Sequence, residues 1–436
     1  MKSVILKITF LILVSCIGIN IEAANKKITI DDIVYSVNTT DKRAQVKGRS
    51  DEAKKNWKLK VPDEILTEWG TIKVTSIASQ AFIYDDHLTS VTLSNYIETV
   101  GSEAFFACSN LKTVNLGYSV KILGARSFSN TGVTSITFPS SLEIIRDEAF
   151  AAAESLKEAI FDRNTAKLES IGFAAFWKTA LQSITIPGCV KSIGKEAFSG
   201  CTSLATVSFL SGNGKTEIGE ECFTNLKKLT KVTFGNPGVE TIGEGAFIGC
   251  SITEVSFPSS LRSIGNWAFS LNRIYKIDFN EGLTSIGHGS FSEQNPTMGG
   301  MTSLDQMTSL TLPSTLKSIG EKAFFYVSDD LIDVTCKATV PPTALELAFD
   351  ASTQLHGVLW VAPTSVSAYM NANVWKDFQD IRGIGTSGLT DSEISATSYP
   401  VEYFSLSGER IDPDKLQPGI YIRKEGNRTK KIILNF

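Results

Sequence analysis

Apolar and polar positions along this chain recur as a unit. Its clearest copy is Ile193-Gly194-Lys195-Glu196-Ala197-Phe198, preceded by the apolar alternation Leu181, Ile184, Ile186. With conservative swaps the six-residue element returns at 77–82, 100–105, 123–128, 145–150 and 171–176. It continues at 218–223, 242–247, 264–269, 286–291 and 319–324, and its Phe residues lie mostly 22 to 26 positions apart. A period in that range marks a solenoid. One repeat cannot bury its own apolar face, so the repeats must stack into a continuous core. A few residues after each Phe comes a short alternating run, such as Leu88-Thr89-Ser90-Val91-Thr92-Leu93 or Leu229-Thr230-Lys231-Val232-Thr233-Phe234. Period two with polar β-formers between reads as a half-buried strand. Stacking then predicts that these strands align into one long parallel sheet. Pro139, Pro187, Pro258 and Pro313 directly follow their strands and stop them, because proline has no N–H for the ladder.

The Gly of the Ile-Gly pair reads as a tight turn or a close backbone approach. The Ala beside Phe is small because the adjacent coil packs on it, and the Phe fills the space between layers. Cys108, Cys201 and Cys250 fall three residues after a Phe; a small apolar residue is expected there, and free Cys behaves as one. The whole pattern, L-x-x-V-x-L-P-x-x-L-x-x-I-G-x-x-A-F-x-x-C, resembles the BspA-type leucine-rich-repeat family, found in surface proteins of Gram-negative anaerobes and in some protozoa. The likeness covers about residues 73 to 350 in eleven in-phase copies. Departures are few: Ala78 and Arg146 stand for the Gly, and Ser127, Cys222 and Ser290 for the Ala. The resemblance implies a β-rich leucine-rich-repeat solenoid, a right-handed superhelix with one long parallel sheet. It also implies adhesion to host matrix proteins or to the surface proteins of other bacteria.

Outside the repeats the chain divides further. Residues 1–24 read as a signal peptide, with Lys2 and Lys7 ahead of an apolar run. Two processing readings fit: cleavage near Ala23 or Ala24, or lipidation of Cys16, since Leu13-Val14-Ser15-Cys16 resembles a lipobox. The second would anchor the chain to the outer membrane. Residues 25–72 lack the repeat and carry short alternating runs at 28–30, 33–37 and 44–46; they form the N-terminal β-rich cap a solenoid needs. Insertions at 163–167, 211–215 and 292–306 are expected to project as loops. Residues 351–378 form the C-terminal cap, with a short amphipathic helix from Pro363 and a seal at Trp375 and Phe378. Residues 379–398, rich in Gly, Ser and Thr, read as a linker. The tail 399–436 alternates as strands and resembles, over about 38 residues, the C-terminal sorting domains of type IX secretion.

Composition narrows the function. A net charge of −4 and a pI near 5.7 provide no basic face for nucleic acid. The basic cluster Arg423, Lys424, Arg428, Lys430 and Lys431 lies on the tail and reads as a solvated strand edge. Seven cysteines in an exported protein invite disulfides, but equivalent positions two layers apart put Cys201 and Cys250 out of reach of each other. His87, His288 and His356 have no metal spacing, and the catalytic and phosphate-binding motifs are absent. Asp85-Asp86, Glu220-Glu221 and Asp329-Asp330 read as solvated turn charges. No enzyme activity and no cofactor are expected. What remains is the outward side of the strands, rich in Thr and Ser, where Lys112, Asn115, Gln182, Lys231, Glu254, Tyr275, Lys276 and Asp278 are the candidate binding residues. The expected function is adhesion or protein–protein recognition. Two rivals are a carbohydrate-binding accessory protein, which needs exposed aromatics such as Trp177 or Trp267, and a structural envelope protein.

Overall fold

The computed structural model describes residues 25–50, 57–161, 167–212, 215–294, 307–328, 331–385, 401–405, 407–412, 419–425 and 428–434. It divides into two compact units, Met1–Arg273 and Ile274–Phe436. Each repeat is a three-sided coil. On one side, two-residue strands such as Ile144–Ile145, Ser170–Ile171 and Ser192–Ile193 pair in parallel, Ile145 opposite Ile171 and Ile171 opposite Ile193. In the first unit this ladder runs unbroken from the cap to Ser263–Ile264. In the second, Ser285–Ile286, Ser318–Ile319 and Thr343–Ala344 hold the same place. The Gly that follows most of these strands explains the tight stacking. A Cβ on Gly194 would lie 2.5 Å from the Phe173 nitrogen, and one on Gly124 would lie 2.5 Å from the Gly101 carbonyl carbon. Both positions serve a close backbone approach.

The second side is a ladder of turns. Two residues per turn adopt positive φ, for example Glu148 and Ala152, both at 54°. That conformation costs a non-glycine residue about 1 kcal/mol. It aims N–H groups at the next layer: Glu148, Phe150 and Ala152 donate to the carbonyls of Phe173, Ala175 and Trp177, each at 2.7 Å. Between them the Phe rings stack. Phe176, Phe198 and Phe223 lie 5.1 and 5.0 Å apart, near parallel, and each is fully buried. In the second unit Phe291, Phe324 and Phe349 continue the arrangement at 5.6 and 5.5 Å.

The expected long, mostly parallel sheet is present, but the two-residue strands build it; the third side holds the alternating strands, which pair in shorter sheets. In the first unit they form a five-stranded sheet from Trp57–Lys60 to Glu158–Phe161 and a separate three-stranded one from Ser183–Ile186 to Lys231–Phe234. The continuous ladder is the short one. The reason is a one-residue difference in connection length. Nine positions separate Phe105 from Val114, Phe150 from Ala159 and Phe223 from Val232; eight separate Phe128 from Ile136, Phe176 from Ile184 and Phe247 from Val255. Where a longer connection precedes a shorter one, pairing shrinks to Ser135 against Thr113, or stops after Glu158–Phe161 and after Lys231–Phe234. At the first two of these steps the entering hydrogen bonds are stretched, Thr134 to Lys112 at 3.4 Å and Gln182 to Lys157 at 3.3 Å. Where a shorter precedes a longer, four residue pairs form.

The cap strands Asn25–Ile30, Ile33–Asn38 and Arg43–Arg49 join by antiparallel pairing, and Arg43–Arg49 then pairs parallel with Gly70–Ile77. Trp57, at 5.7 Å from Phe82, covers the first ring of the stack. At the far end, Trp375 and Phe378 pack on Phe349 at 5.5 and 5.4 Å, and Trp375 Nε1 donates to the Pro342 carbonyl at 2.7 Å. The single helix expected there is three pieces, Pro363–Ser365, Val366–Asn371 and Trp375–Asp377, and a further helix spans Ala351–His356. Asp380–Gly383, inside the stretch read as linker, is a strand paired parallel with Val358–Val361. Its apolar Ile381 continues the alternation that the neighbouring Gly residues obscured. Residues 386–398 of that stretch and the inner parts of the three insertions lie outside the described residues. The tail forms a four-stranded antiparallel sheet.

Candidate recognition surface

Strand alternation turns Val, Ile and Phe inward and leaves every second residue facing solvent. In the first unit, Lys112, Asn115, Gln182, Lys231 and Glu254 are all exposed. In the second, Lys276 and Asp278 are exposed and face each other at 3.8 Å, while Tyr275 is half-buried. The structure does not gather these residues into one site. Thr206 and Lys231 are direct neighbours across a pair of strands, and Thr233 donates to Ser208 Oγ at 3.0 Å in the same pair. Lys112 and Asn115 share one layer and Tyr275, Lys276 and Asp278 another, while Gln182 and Glu254 each stand in a layer of their own. Cys16 lies outside the described residues.

The aromatic rival fares differently from its sequence form. Trp177 is half-buried and carries Lys178 Nζ 4.1 Å above its ring, while Trp267 is 39% exposed on a positive-φ turn. A more open aromatic is Tyr118, 80% exposed. It sits on a groove of about 500 Å³ lined by the loops that leave three consecutive strands, with Lys60 and Asp63 from the cap, Asn95 from the first repeat, and Asn115 and Tyr118 from the second. The strands below are zipped together: Val61 donates to the Thr92 carbonyl at 2.9 Å and Leu93 to that of Asn115 at 2.8 Å. Of this group, only Asn115 is among the candidates taken from the sequence. One sequence signal was present: these two repeats lack the proline that ends other strands, carrying Leu93-Ser94-Asn95-Tyr96 and Leu116-Gly117-Tyr118-Ser119 instead.

The turn charges are not all solvated. Asp85 is 7% exposed, with Arg49 Nε 2.8 Å from its Oδ2, close but poorly aligned for a hydrogen bond. Asp85, Asp86 and His87 place ligand-type atoms within 4.8 Å of one another, yet they are adjacent in sequence and Arg49 already supplies a charge to the buried member. Glu220 pairs with Lys195 at 3.0 Å, and Asp329-Asp330 lies outside the described residues.

The cysteines Cys108, Cys201, Cys222, Cys250 and Cys336 are buried thiols, and Cys189 is a half-buried one. Three thiols do more than fill space. Cys108, Cys201 and Cys250 donate to the carbonyls of Phe82, Phe176 and Phe223 at 2.9, 3.1 and 3.0 Å. Asn272, at the same place in its repeat, donates to the Phe247 carbonyl at 2.8 Å. A buried carbonyl needs a partner, and in these four layers the donor at this position supplies one. Burial pushes the Cys108 and Cys250 thiols up to about 12 and Cys201 up to about 11, which removes thiolate chemistry at neutral pH.

Comparison with known proteins agrees with this architecture. No curated protein matches the chain. Among solved structures, a leucine-rich repeat protein from Bacteroides ovatus is 24% identical, covering 71% of this chain and 94% of that one, with a TM-score of 0.33. The pneumococcal vaccine antigen PcpA is 20% identical over 82% of this chain and 98% of its own, with a TM-score of 0.43. A leucine rich cell surface protein from Faecalibacterium prausnitzii is 19% identical over 86% and 98%, with a TM-score of 0.39. The model of the BspA type leucine rich repeat region matches residues 75–205, 206–298 and 301–358. Those matched segments take up more than half of the sequence, and the chain belongs to the BspA-type leucine-rich-repeat family.

Proposed function

We propose that this chain is a non-enzymatic exported protein that acts at a cell surface, binding host matrix proteins or bacterial surface proteins through the outward positions of its strands. The observation that carries the reading is the row of exposed polar side chains, Lys112, Asn115, Gln182, Lys231 and Glu254 in one unit and Lys276 and Asp278 in the other. Such a row suits extended contact made of many weak points. Hot spots in tight interfaces centre on Trp, Tyr and Arg, and the half-buried Tyr275 is the one aromatic among these candidates. Avidity from several layers replaces a single anchor. The basic, apolar N-terminal segment supports export, and lipidation at Cys16 would hold the chain on the outer membrane. We read the small β-tail as a sorting element for passage to the surface.

The test is protease shaving of intact native cells, read with an antibody against residues 73–350, beside saturable binding of the full mature chain to matrix proteins. Loss of signal from intact cells is expected, and so is its absence when residues 399–436 are deleted. Substituting Lys231, Glu254, Lys276 and Asp278 together by Ala is expected to weaken binding about tenfold or more, or roughly 1.4 kcal/mol. Protection until the outer membrane is broken, or no binding across a broad protein panel, would sink the adhesin reading.

A further inference from the structure

We propose that the groove between the cap and the first two repeats binds a neutral sugar unit of a glycan, with Tyr118 as its platform. The groove is built by three successive loops, so its shape is held by the ladders beneath them. Gly117 sets the platform. Its φ is 68°, and a Cβ there would lie 2.8 Å from the Ser94 carbonyl oxygen, so only glycine lets this loop turn against its neighbour. The turn leaves Tyr118 80% exposed, with no ring contact or hydrogen bond among the described residues. The ring therefore offers an open aromatic face beside the groove.

The polar groups around it are oriented. Asn115 Oδ1 accepts the Gly117 N–H at 2.9 Å, which fixes the amide and turns its Nδ2 donors away from that bond. Asp63 accepts from the Asn95 backbone N–H at 2.9 Å and from Asn95 Nδ2 at 3.5 Å, so the carboxylate braces the opposite wall. Thr92 contributes an exposed hydroxyl and Lys60 an exposed ammonium. Charge decides against an anionic ligand, because the single lysine of the lining, Lys60, is offset by Asp63 three residues on in the same loop. Apolar content decides against a hydrophobic peptide anchor: of the aliphatic lining, Val61 and Leu93 are each only 3% exposed and Pro62 alone is half-buried. A pyranose presents one C–H face to an aromatic ring and a rim of hydroxyls to amide, hydroxyl and ammonium groups. That combination of one exposed ring and a few convergent polar groups in a groove of this size is what such a ligand needs.

This site shares only Asn115 with the strand-borne protein contacts, and its test separates from theirs. The full mature chain is screened against an array of neutral soluble gluco-, galacto-, manno- and N-acetylglucosamine oligosaccharides, and the strongest binder is titrated by calorimetry. Binding is expected. Tyr118→Ala should lower affinity at least about tenfold, Asn115→Ala should weaken it, and Tyr118→Phe should largely keep it, because the ring and not the hydroxyl is the platform. Thermal unfolding of Tyr118→Ala should match the parent, since the side chain is exposed. The combined substitution of Lys231, Glu254, Lys276 and Asp278 should leave glycan affinity unchanged. Failure of every neutral oligosaccharide to bind at millimolar concentration overturns the proposal. So does a Tyr118→Ala variant with parental affinity.

Discussion

Gly194 shows how a single residue sets the pitch of the coil. Its missing Cβ would sit 2.5 Å from the Phe173 nitrogen and 2.6 Å from the Gly172 carbonyl carbon, and both of those atoms belong to backbone that cannot swing aside. Gly194→Ala is therefore expected to destabilise the fold by about 1–3 kcal/mol, the usual cost of overpacking; a denaturation midpoint unchanged from the parent would refute this. The buried thiols give a second prediction at this scale. Cys108 and Cys250 rise to about 12 and Cys201 to about 11 from the ordinary 9.0, chiefly through burial. Folded-state values above the unfolded one mean that the unfolded chain releases these protons first as pH climbs. Stability is thus full below about pH 9 and should fall as pH rises toward 11 to 12. Chemical unfolding followed between those limits checks it, and a Cys108→Ala variant should show a shallower decline.

Elements in this protein are held by what repeats beneath them. Phe198 lies between Phe176 and Phe223 at 5.1 and 5.0 Å, and its backbone N–H donates to the Cys222 carbonyl at 2.9 Å. Phe198→Ala should cost about 3–5 kcal/mol, as for other fully buried aromatic rings cut to Ala. The damage should stay near its own layer, because each coil touches only its neighbours. Hydrogen exchange read around residues 170–225 would show the lost protection, and a uniform loss across the whole unit would argue against nearest-neighbour coupling. The broken strand side follows the same logic. One residue fewer between Phe176 and Ile184 than between Phe150 and Ala159 is enough to interrupt the sheet, while the Ser-Ile ladder, tied to the glycine contact, runs on.

For the molecule as a whole, stability is a sum of local terms. The two compact units and the interrupted strand sheets provide natural places for cooperativity to fail. Equilibrium unfolding in denaturant is expected to show a broad or stepped transition in which probes in the two units do not coincide. A single transition, with calorimetric and van't Hoff enthalpies equal, would contradict this. In the function proposed above, recognition by the strand side follows the same additive rule, with many exposed side chains each contributing little. The groove beside Tyr118 departs from it, because there three loops converge on one place.

The sequence alone determined the solenoid, its period, the stacked Phe core and the inward and outward sides of the strands, because each follows from residues close together in the chain and repeated many times. It was enough to mark Lys112, Asn115, Lys231 and Asp278 as outward. The break in the strand side was also written there, as eight positions against nine, but its meaning depends on how one layer meets the next. The choice of a donor at Cys108, Cys201 and Asn272 became visible only with the Phe carbonyls of the preceding layer placed opposite them. Burial of Asp85 beside Arg49 and inclusion of Asp380–Gly383 in the final sheet were likewise decided by tertiary structure. The groove belongs to that class too: Lys60, Asn95 and Tyr118 are dozens of residues apart, and only stacking of the layers brings their loops to one place.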